Sequence, residues 1–318
     1  MRLAVVIVNY RTPNLVIDCL KSLEFEVDPN QDRVVVVDNA SGDNSVSLID
    51  QFIQQNCWQS WVKLIPSPVN GGFSAGNNLG IKAVEADAYL LTNSDTIIRK
   101  GAIQELLSVM ERHPEVGLLS PRLEWPDGTP QNSCFRYRSP ISEFIEAART
   151  SPISKLLRRY EVPIEATDVP TRPEWTSFAC VLIRKAVIEQ IGLMDEGYFM
   201  YFDDIDYCRR SRNAGWDILN WPQARVVHLR GGSSPVKSEV AARKRPRAYL
   251  YASRSRYFTT FYGPFGLWMA NAGWLAGRAV SLLRELVGHK LPHTCELEAV
   301  DIWTNWRSPL KAPLQPER

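Results

Sequence analysis

Cysteine and histidine are scarce in this chain, with six and four copies in 318 residues. Cys19, Cys57, Cys134, Cys180, Cys208 and Cys295 are scattered, and no two stand as C-x-x-C. That spacing argues against a structural zinc site and against a disulfide framework. Reduced, mostly buried thiols in a cytoplasmic protein are the expectation. There is no G-x-x-x-x-G-K-[ST], so the phosphate cradle of an ATPase is missing. There is no G-x-G-x-x-G after the first apolar run, so the dinucleotide fingerprint is missing too. No secretory signal is visible: Leu3 to Val8 is apolar for only six residues before Asn9, Tyr10 and Arg11. Neither sign of charge dominates, with 37 basic against 35 acidic residues and a net charge of +2, so the overall balance names no partner. What is present is ordinary for a globular protein, 45% hydrophobic and 23% charged, in a chain long enough for one large domain or two small ones.

The N-terminal half alternates short β-branched runs with helical patterns. "RLAVVIVNY" reads as a first buried strand, followed by a helix from about Pro13 to Leu23 with Leu15, Cys19, Leu20 and Leu23 on one face. "RVVVVDNASGDNS" repeats the event: Val34 to Val37 suit a strand covered on both faces, and Asp43 or Asn44 can cap a helix through about Asn56. "WVKLIPS", "AYLLTNSD" and "VGLLSP" are three further strands, with helices over "SAGNNLGIKAVEA" and from about Lys100 to Arg112. Such alternation predicts an α/β fold, a mostly parallel sheet wound with helices.

Sheets of this kind bind ligands outside the carboxyl ends of their strands. Here four successive ends carry Asn9-Tyr10, Asp38-Asn39, Asn70-Gly71-Gly72 and Asn93-Ser94-Asp95. Each alone is explained by a turn, since Asn, Ser, Asp and Gly are turn formers. Four together on one rim point to a ligand site. "NGGFSAGNN" opens a helix and could let backbone approach a phosphate or sugar, or could simply make a tight turn.

From Arg122 to Pro173 the periodicity weakens, with prolines at 126, 130, 140, 152, 163, 170 and 173, and an irregular, partly helical excursion is expected. "WTSFACVLIRKAVIEQIG" restores order as a strand from Ser177 to Ile183 and a short helix. "DEGYFMYFDDIDYCRRSRNAGW" then sets aromatics beside Asp203, Asp204 and Asp206. An apolar flank raises a carboxylate's pKa by desolvation, which suits a general base. Asp203 can cap a helix and Asp206 can pair with Arg210 one turn on. Those structural roles leave Asp204 over. "ARVVHLRGGSS" ends an apolar run on His228, either a satisfied strand-end residue or, beside Asp95, a second metal ligand.

Taken in order, "VVIVNY", "VVVVDNASGDNS", "NGGFSAGNN", "TNSD", "MYFDDIDYCRR" and "VVHLRGGSS" resemble the inverting glycosyltransferases of the GT-A fold, in the large family that includes bacterial rhamnosyltransferases. The match runs over residues 3 to 234. The resemblance implies that Asn9 and Asp38 contact the nucleotide base and ribose region, with Tyr10 among the donor-binding residues. It implies that Asn70, Gly71, Gly72 and Asn77 line the sugar nucleotide, and that Asn93-Ser94-Asp95 is the D-x-D-type motif. Asn stands at the first position of that motif, so Asp95 would hold a divalent metal, Mn2+ or Mg2+, mostly alone, with His228 as an extra contact. Relatives often carry Glu-Asp where this chain has Asp203-Asp204, and the second carboxylate is the usual base, which favours Asp204. No Q-x-x-R-W is present, which favours addition of a single sugar. The implied organisation is a GT-A catalytic domain over 1–236, with a donor half to about 120 and an acceptor half from 121, and a helical tail over 237–318. The implied reaction takes a nucleotide-sugar donor, with dTDP-rhamnose the leading one, to a hydroxyl of a glycan or lipid-linked glycan. A catalytically silent sugar-nucleotide-binding or scaffold protein of the same fold is the competing reading, and retention of Asp95, Asp204 and His228 together argues against it. The glycine-rich basic signature of a nucleotidyltransferase is missing after the first strand.

In the tail, Lys237 to Arg256 holds seven Lys or Arg against one Glu, followed by an apolar, aromatic stretch broken by Asn271 and Arg278. Arg near its middle makes it a poor spanning helix, at a cost of about 2.5 to 3.5 kcal/mol. Basic residues beside a Trp-bearing apolar helix suit an anchor on an anionic membrane surface, which would place the enzyme on the inner face of the cytoplasmic membrane. A helix packed on the catalytic domain or at a dimer contact fits the same pattern. Nucleic acid is not an expected partner, because the basic cluster adjoins an apolar helix and no stacking platform.

Overall fold

The structure, a computed structural model, describes residues 1–231, 236–288 and 292–313, with backbone alone at 236–238. Along the chain run β1 (Leu3–Asn9), α1 (Pro13–Leu23), β2 (Arg33–Asp38), α2 (Ser45–Gln55), β3 (Val62–Pro66), α3 (Gly72–Lys82), β4 (Ala88–Asn93), β5 (Thr96–Ile98), α4 (Ala102–Arg112) and β6 (Val116–Glu124). Then follow β7 (Cys134–Phe135), α5 (Pro140–Ala148), α6 (Ser151–Leu156), β8 (Pro163–Ile164), β9 (Trp175–Thr176), β10 (Cys180–Arg184), α7 (Lys185–Ile191), α8 (Asp203–Asn213), β11 (Asp217–His228), α9 (Val236–Ala241), α10 (Ala248–Gly288) and α11 (Glu298–Asp301). The chain divides into two compact units. The first holds Met1–Phe135, Glu165–Glu196 and Asp203–Ser233, and the second Arg136–Ile164, Gly197–Phe202 and Ser234–Arg318.

The first unit is built on an eight-stranded sheet in the order β3-β2-β1-β4-β10-β6-β11-β5. β3, β2, β1 and β4 are mutually parallel. Parallel neighbours need a crossover, and α1, α2 and α3 supply it. β10 is reached from irregular chain and runs antiparallel to both β4 and β6, while β11 is parallel to β6 and antiparallel to β5. Val34 to Val37 are fully buried, as expected of a strand covered on both faces. Helix α1 buries Val16, Cys19, Leu20 and Leu23. Leu15, expected on that face, is half-buried, because the i, i+3, i+4, i+7 set starts from Val16.

Helix α3 begins at Gly72, earlier than its sequence pattern suggests, and lies tight against β1. A Cβ on Gly76 would stand 2.8 Å from Val8 Cγ1, and one on Gly80 2.3 Å from Val6 Cγ1. Gly76 of "NGGFSAGNN" and Gly80 beyond it therefore serve helix-on-sheet packing.

In the second unit α5 packs along α10. Ser139 and Ser142 form a reciprocal capping box at the start of α5, within the stretch expected to be irregular. A Cβ on Gly273 would lie 2.6 Å from the Pro140 carbonyl oxygen, and one on Gly277 2.3 Å from that of Phe144. Arg254 donates to Glu143 at 2.8 Å and to Asn271 Oδ1 at 2.6 Å, so its buried charge is paired. Helix α10 is kinked at Gly263, with φ of 70°, followed by Pro264.

Candidate functional site

The strand register sets the predicted rim. Asn9 at the end of β1 pairs in register with Asp38 at the end of β2, and Val8 with Asn93 of β4. The polar residues after each apolar run thus emerge abreast, and their side chains join. Asn9 Nδ2 donates to Asp38 Oδ1 at 2.7 Å and to Ser41 Oγ at 3.2 Å. Asn9 Oδ1 accepts from the Thr12 hydroxyl at 3.1 Å, and that hydroxyl lies 3.1 Å from Ser94 Oγ. One hydrogen-bonded chain therefore runs from Asp38 through Asn9 and Thr12 to Ser94, next to Asp95. Asp38 also accepts from the Ser41 amide and hydroxyl. Asn9 and Asp38 are buried and frame the rim from below, whereas Tyr10 is 36% exposed, with the Arg11 guanidinium 5.1 Å from its ring centroid.

The Asn70 to Gly72 turn is tied to the same rim. Asn39 Nδ2 donates to Asn70 Oδ1 and to the Gly72 carbonyl, both at 2.9 Å, and the Gly72 amide donates to Asn70 Oδ1 at 3.0 Å. Gly72 has φ of 85°, the left-handed region that favours glycine. Asn77 turns inward and donates to the Phe73 carbonyl of its own helix. Its neighbour Asn78 makes the longer reach: it donates to the Met194 carbonyl and to Glu196 Oε1, and accepts from the Met194 amide. Thr12, Asn39, Ser41 and Asn78 were not singled out as site residues by sequence. For Asn39 and Asn78 the signal was there, in the Asp38-Asn39 strand end and the doubled Asn of "NGGFSAGNN".

Asp95 follows β4 and is 1% exposed. Its Oδ1 lies 3.5 Å from His228 Nε2, and its carbonyl accepts from the Leu229 amide at 2.9 Å. The antiparallel pairing of β5 with β11 sets Thr96 opposite His228 and so brings Asp95 beside His228, 133 positions along the chain. Gln131 donates to the His228 carbonyl at 2.7 Å, and Arg230 donates to Gln131 at 2.6 Å. His228 Nδ1 is buried and has no hydrogen-bond partner among the described residues. Gly232, Ser233 and Ser234 of "HLRGGSS" lie outside the described residues, as does the side chain of Lys237.

The carboxylate cluster opens α8. The chain enters it through Tyr201 and Phe202, both with positive φ, at 68° and 64°. Backbone of this kind costs about 1–3 kcal/mol per residue and collects at functional segments. Asp203 is the first helical residue; its Oδ1 accepts from the Asp204 amide at 3.1 Å, and Ser74 of α3 donates to its Oδ2 at 3.4 Å. Burial first, and then the neighbouring Asp204 charge, push the Asp203 carboxyl up to about 8. Asp204 is half-buried, and its Oδ1 accepts from the Ile205 amide at 2.9 Å, a local role not visible in the sequence. Asp206 pairs with Arg210 at 2.7 Å, as the spacing predicted, and Arg210 also donates to the carbonyls of Ile191 and Leu193.

As a metal site, the Asp95–His228 pair is incomplete. Among the described residues no group of three or more His, Cys, Asp or Glu could hold a cation. One carboxylate and one imidazole leave most of a divalent ion's ligands to come from phosphate oxygens and water, as carboxylate-held ions at nucleotides do. They do not suit a closed structural site.

Residues 1–250 match the family described as "Glycosyltransferase like family 2". The N-acetylglucosaminyl-diphospho-decaprenol L-rhamnosyltransferase of Mycobacterium tuberculosis is 27% identical over 271 residues, covering 80% of this chain and 82% of that protein. The low-salt glycan biosynthesis hexosyltransferase Agl10 of Haloferax volcanii is 28% identical over 229 residues, covering 71% and 65%. Among solved structures, the mannosyltransferase PcManGT of Pyrobaculum calidifontis, in complex with GDP-Man and Mn2+, superposes with a TM-score of 0.55 at 15% identity, over 97% of this chain and 84% of that one. At that identity the likeness speaks for the fold, a GT-A-like α/β architecture with a curled mixed sheet flanked by helices and a long C-terminal helix.

Proposed function

The chain belongs to glycosyltransferase-like family 2, and we propose that it moves one sugar from a nucleotide-sugar donor to a hydroxyl of a lipid-linked glycan, inverting the anomeric centre. The observation that carries this reading is the single rim that joins Asp38, Asn9, Thr12 and Ser94 by hydrogen bonds and sets Asp95 beside His228. The nucleoside lies over Asn9 and Asp38, with the exposed Tyr10 ring as a surface for the base. Asn70, Gly71, Gly72 and Asn77 shape the wall beside the sugar. Asn93, Ser94 and Asp95 sit under the diphosphate.

Asp95 and His228 would hold a divalent cation, Mn2+ or Mg2+, together with the diphosphate. Bound there, the ion supplies positive charge to the departing nucleoside diphosphate. Everything else falls to the chain's own groups. Two neighbouring carboxylates do not both ionise readily. Asp203, buried and held by Ser74, keeps its proton near neutral pH. Asp204, half-buried, takes the proton of the acceptor hydroxyl as its oxygen attacks the anomeric carbon and the glycosyl–phosphate bond breaks. The donor half lies within residues 1–120 and the base in the acceptor half.

The name of the M. tuberculosis relative supports rhamnose as the sugar and a polyprenyl-diphosphate-linked glycan as the acceptor; dTDP-rhamnose as the donor rests on the sequence resemblance. Such an acceptor places the enzyme at the cytoplasmic membrane surface. Among the described residues no helix is long and apolar enough to cross a membrane. The test is a nucleotide-sugar panel, assayed for hydrolysis and for transfer with manganese or magnesium, alongside calorimetry of nucleoside diphosphate binding. Turnover of dTDP-rhamnose and metal-coupled diphosphate affinity that weakens in Asp95→Ala are expected. Tight binding of a sugar nucleotide with no turnover of any would instead make the protein a silent binding module.

A further inference from the structure

Beyond the kink at Gly263 and Pro264, α10 has two unlike faces. One is packed: Gly273 and Gly277 lie against α5, Asn271 accepts from Arg254, and Arg278 donates to Glu285 at 2.7 Å. On the other face eleven positions from Phe265 to Val287 are exposed, and every one is apolar. They recur at spacings of three and four and form a strip roughly 33 Å long at 1.5 Å per residue. Phe265 is 76% exposed, Leu283 66% and Leu286 73%. At one end Trp268 meets Trp303 and Trp306, with ring centroids 4.8 and 5.5 Å apart, and Arg307 stacks on Trp306 at 5.1 Å.

We propose that this strip is a membrane-docking face: α10 lies in the plane of a phospholipid bilayer with Phe265 to Val287 in the interfacial layer. Two observations favour lipid over a second copy of the chain, and a third excludes a spanning placement. Protein interfaces carry about one hydrogen bond per 100–200 Å², and the strip offers no polar side chain to make one. The tryptophans and Arg307 gather at its end, and amphipathic rings with a nearby cation prefer the headgroup level. The packed face carries Asn271, Arg278 and Glu285, which rules out a lipid environment all round the helix.

The structure also changes the expected source of the attraction. Arg245 pairs with Asp301, Arg247 with Glu239 and Arg254 with Glu143. Two of the five basic residues before α10, and Arg254 within it, are thus matched by acidic partners within the chain. The apolar strip carries the attachment and anionic lipid adds only an increment. The inference depends on the proposed lipid-linked acceptor for its purpose alone, not for its evidence.

The test is flotation of the full chain on phosphatidylcholine vesicles, with and without phosphatidylglycerol, at low and high salt. Binding to the neutral vesicles should persist at high salt. A Leu283→Glu/Leu286→Glu variant should lose it, with a fall in partition of roughly a hundredfold or more for two apolar side chains. The circular dichroism of that variant, and its transfer to a water-soluble acceptor, should match the parent. Flotation that needs anionic lipid and vanishes at high salt would overturn the proposal. So would a dimer in sedimentation that the variant dissolves while flotation stays unchanged. Absence of transfer to any acceptor, with flotation as expected, would sink the functional reading and leave the docking face standing.

Discussion

Replacing Asp204 by Asn separates its chemistry from its structural part. Asp204 Oδ1 accepts the Ile205 amide at 2.9 Å, and an Asn side-chain oxygen keeps that bond, so α8 should start as before. What disappears is the ability to take a proton. A positioned base contributes ~10² to 10⁴ in rate, equivalent to ~2.7 to 5.5 kcal/mol of barrier. Asp203 is a poor substitute at neutral pH, because burial and its neighbour hold its carboxyl near 8 and Ser74 fixes it. The fall at pH 7 should therefore reach at least the lower end of that range. Loss of the Asp204 charge also removes one of the two main causes that raise Asp203, so any residual activity should recover at a pH below 8. The assay is transfer rate at saturating donor across pH, with nucleoside diphosphate affinity measured by calorimetry in the presence of manganese. Affinity should stay unchanged, since Asp95 and His228 lie on other elements. Near-full transfer in Asp204→Asn with loss in Asp203→Asn would move the base by one residue. Loss of diphosphate affinity in both would make the cluster a binding element and refute the base assignment.

Two stability predictions follow from the same geometry. The folded Asp203 carboxyl, at about 8, lies above its ordinary value of 3.8. Its contribution is full below the unfolded pKa and is lost as pH rises through the folded one; the melting temperature of Asp203→Asn relative to the parent should therefore climb from about pH 4 to about pH 8 and then level off. A gap that is flat across that window would mean that Asp203 is not held protonated. Gly277→Ala gains up to about 1 kcal/mol of helix propensity, but its Cβ would stand 2.3 Å from the Phe144 carbonyl oxygen. Overpacking of this kind costs about 1–3 kcal/mol, so a net loss is expected in urea unfolding, against Ala276→Gly on the exposed face as a propensity-only control. A stabilised Gly277→Ala would show that α5 and α10 are not in close contact.

The local readings that rest on nearest neighbours in the chain needed no tertiary information. The 3.6-residue pattern of α1 and the unbroken Val34–Val37 run follow from side-chain periodicity and burial. The Asp206–Arg210 pair follows from helical spacing, and the change from apolar to polar at Asn9, Asp38 and Asn93 marks strand ends that a parallel register must set side by side. The long-range decisions were of another kind. Asp95 meets His228 only because β5 and β11 pair antiparallel. Ser74 reaches Asp203, 129 residues along the chain, from α3, which Gly76 and Gly80 let sit tight on β1. In "NGGFSAGNN" the sequence could not tell Gly76, which packs on Val8 of β1, from Gly71 and Gly72 at the rim, because a glycine required by a close helix–strand contact and one required by a turn or ligand leave the same letter. The tail is the clearest division. Its composition announced an amphipathic, basic segment, but which cations were already paired, and which helix face α5 would cover, depended on Glu143 and Asp301 arriving from elsewhere in the chain. Periodicity records what a residue does to its neighbours within a turn or a pleat, whereas a partner a hundred residues away is chosen by packing, and only the folded chain contains that choice.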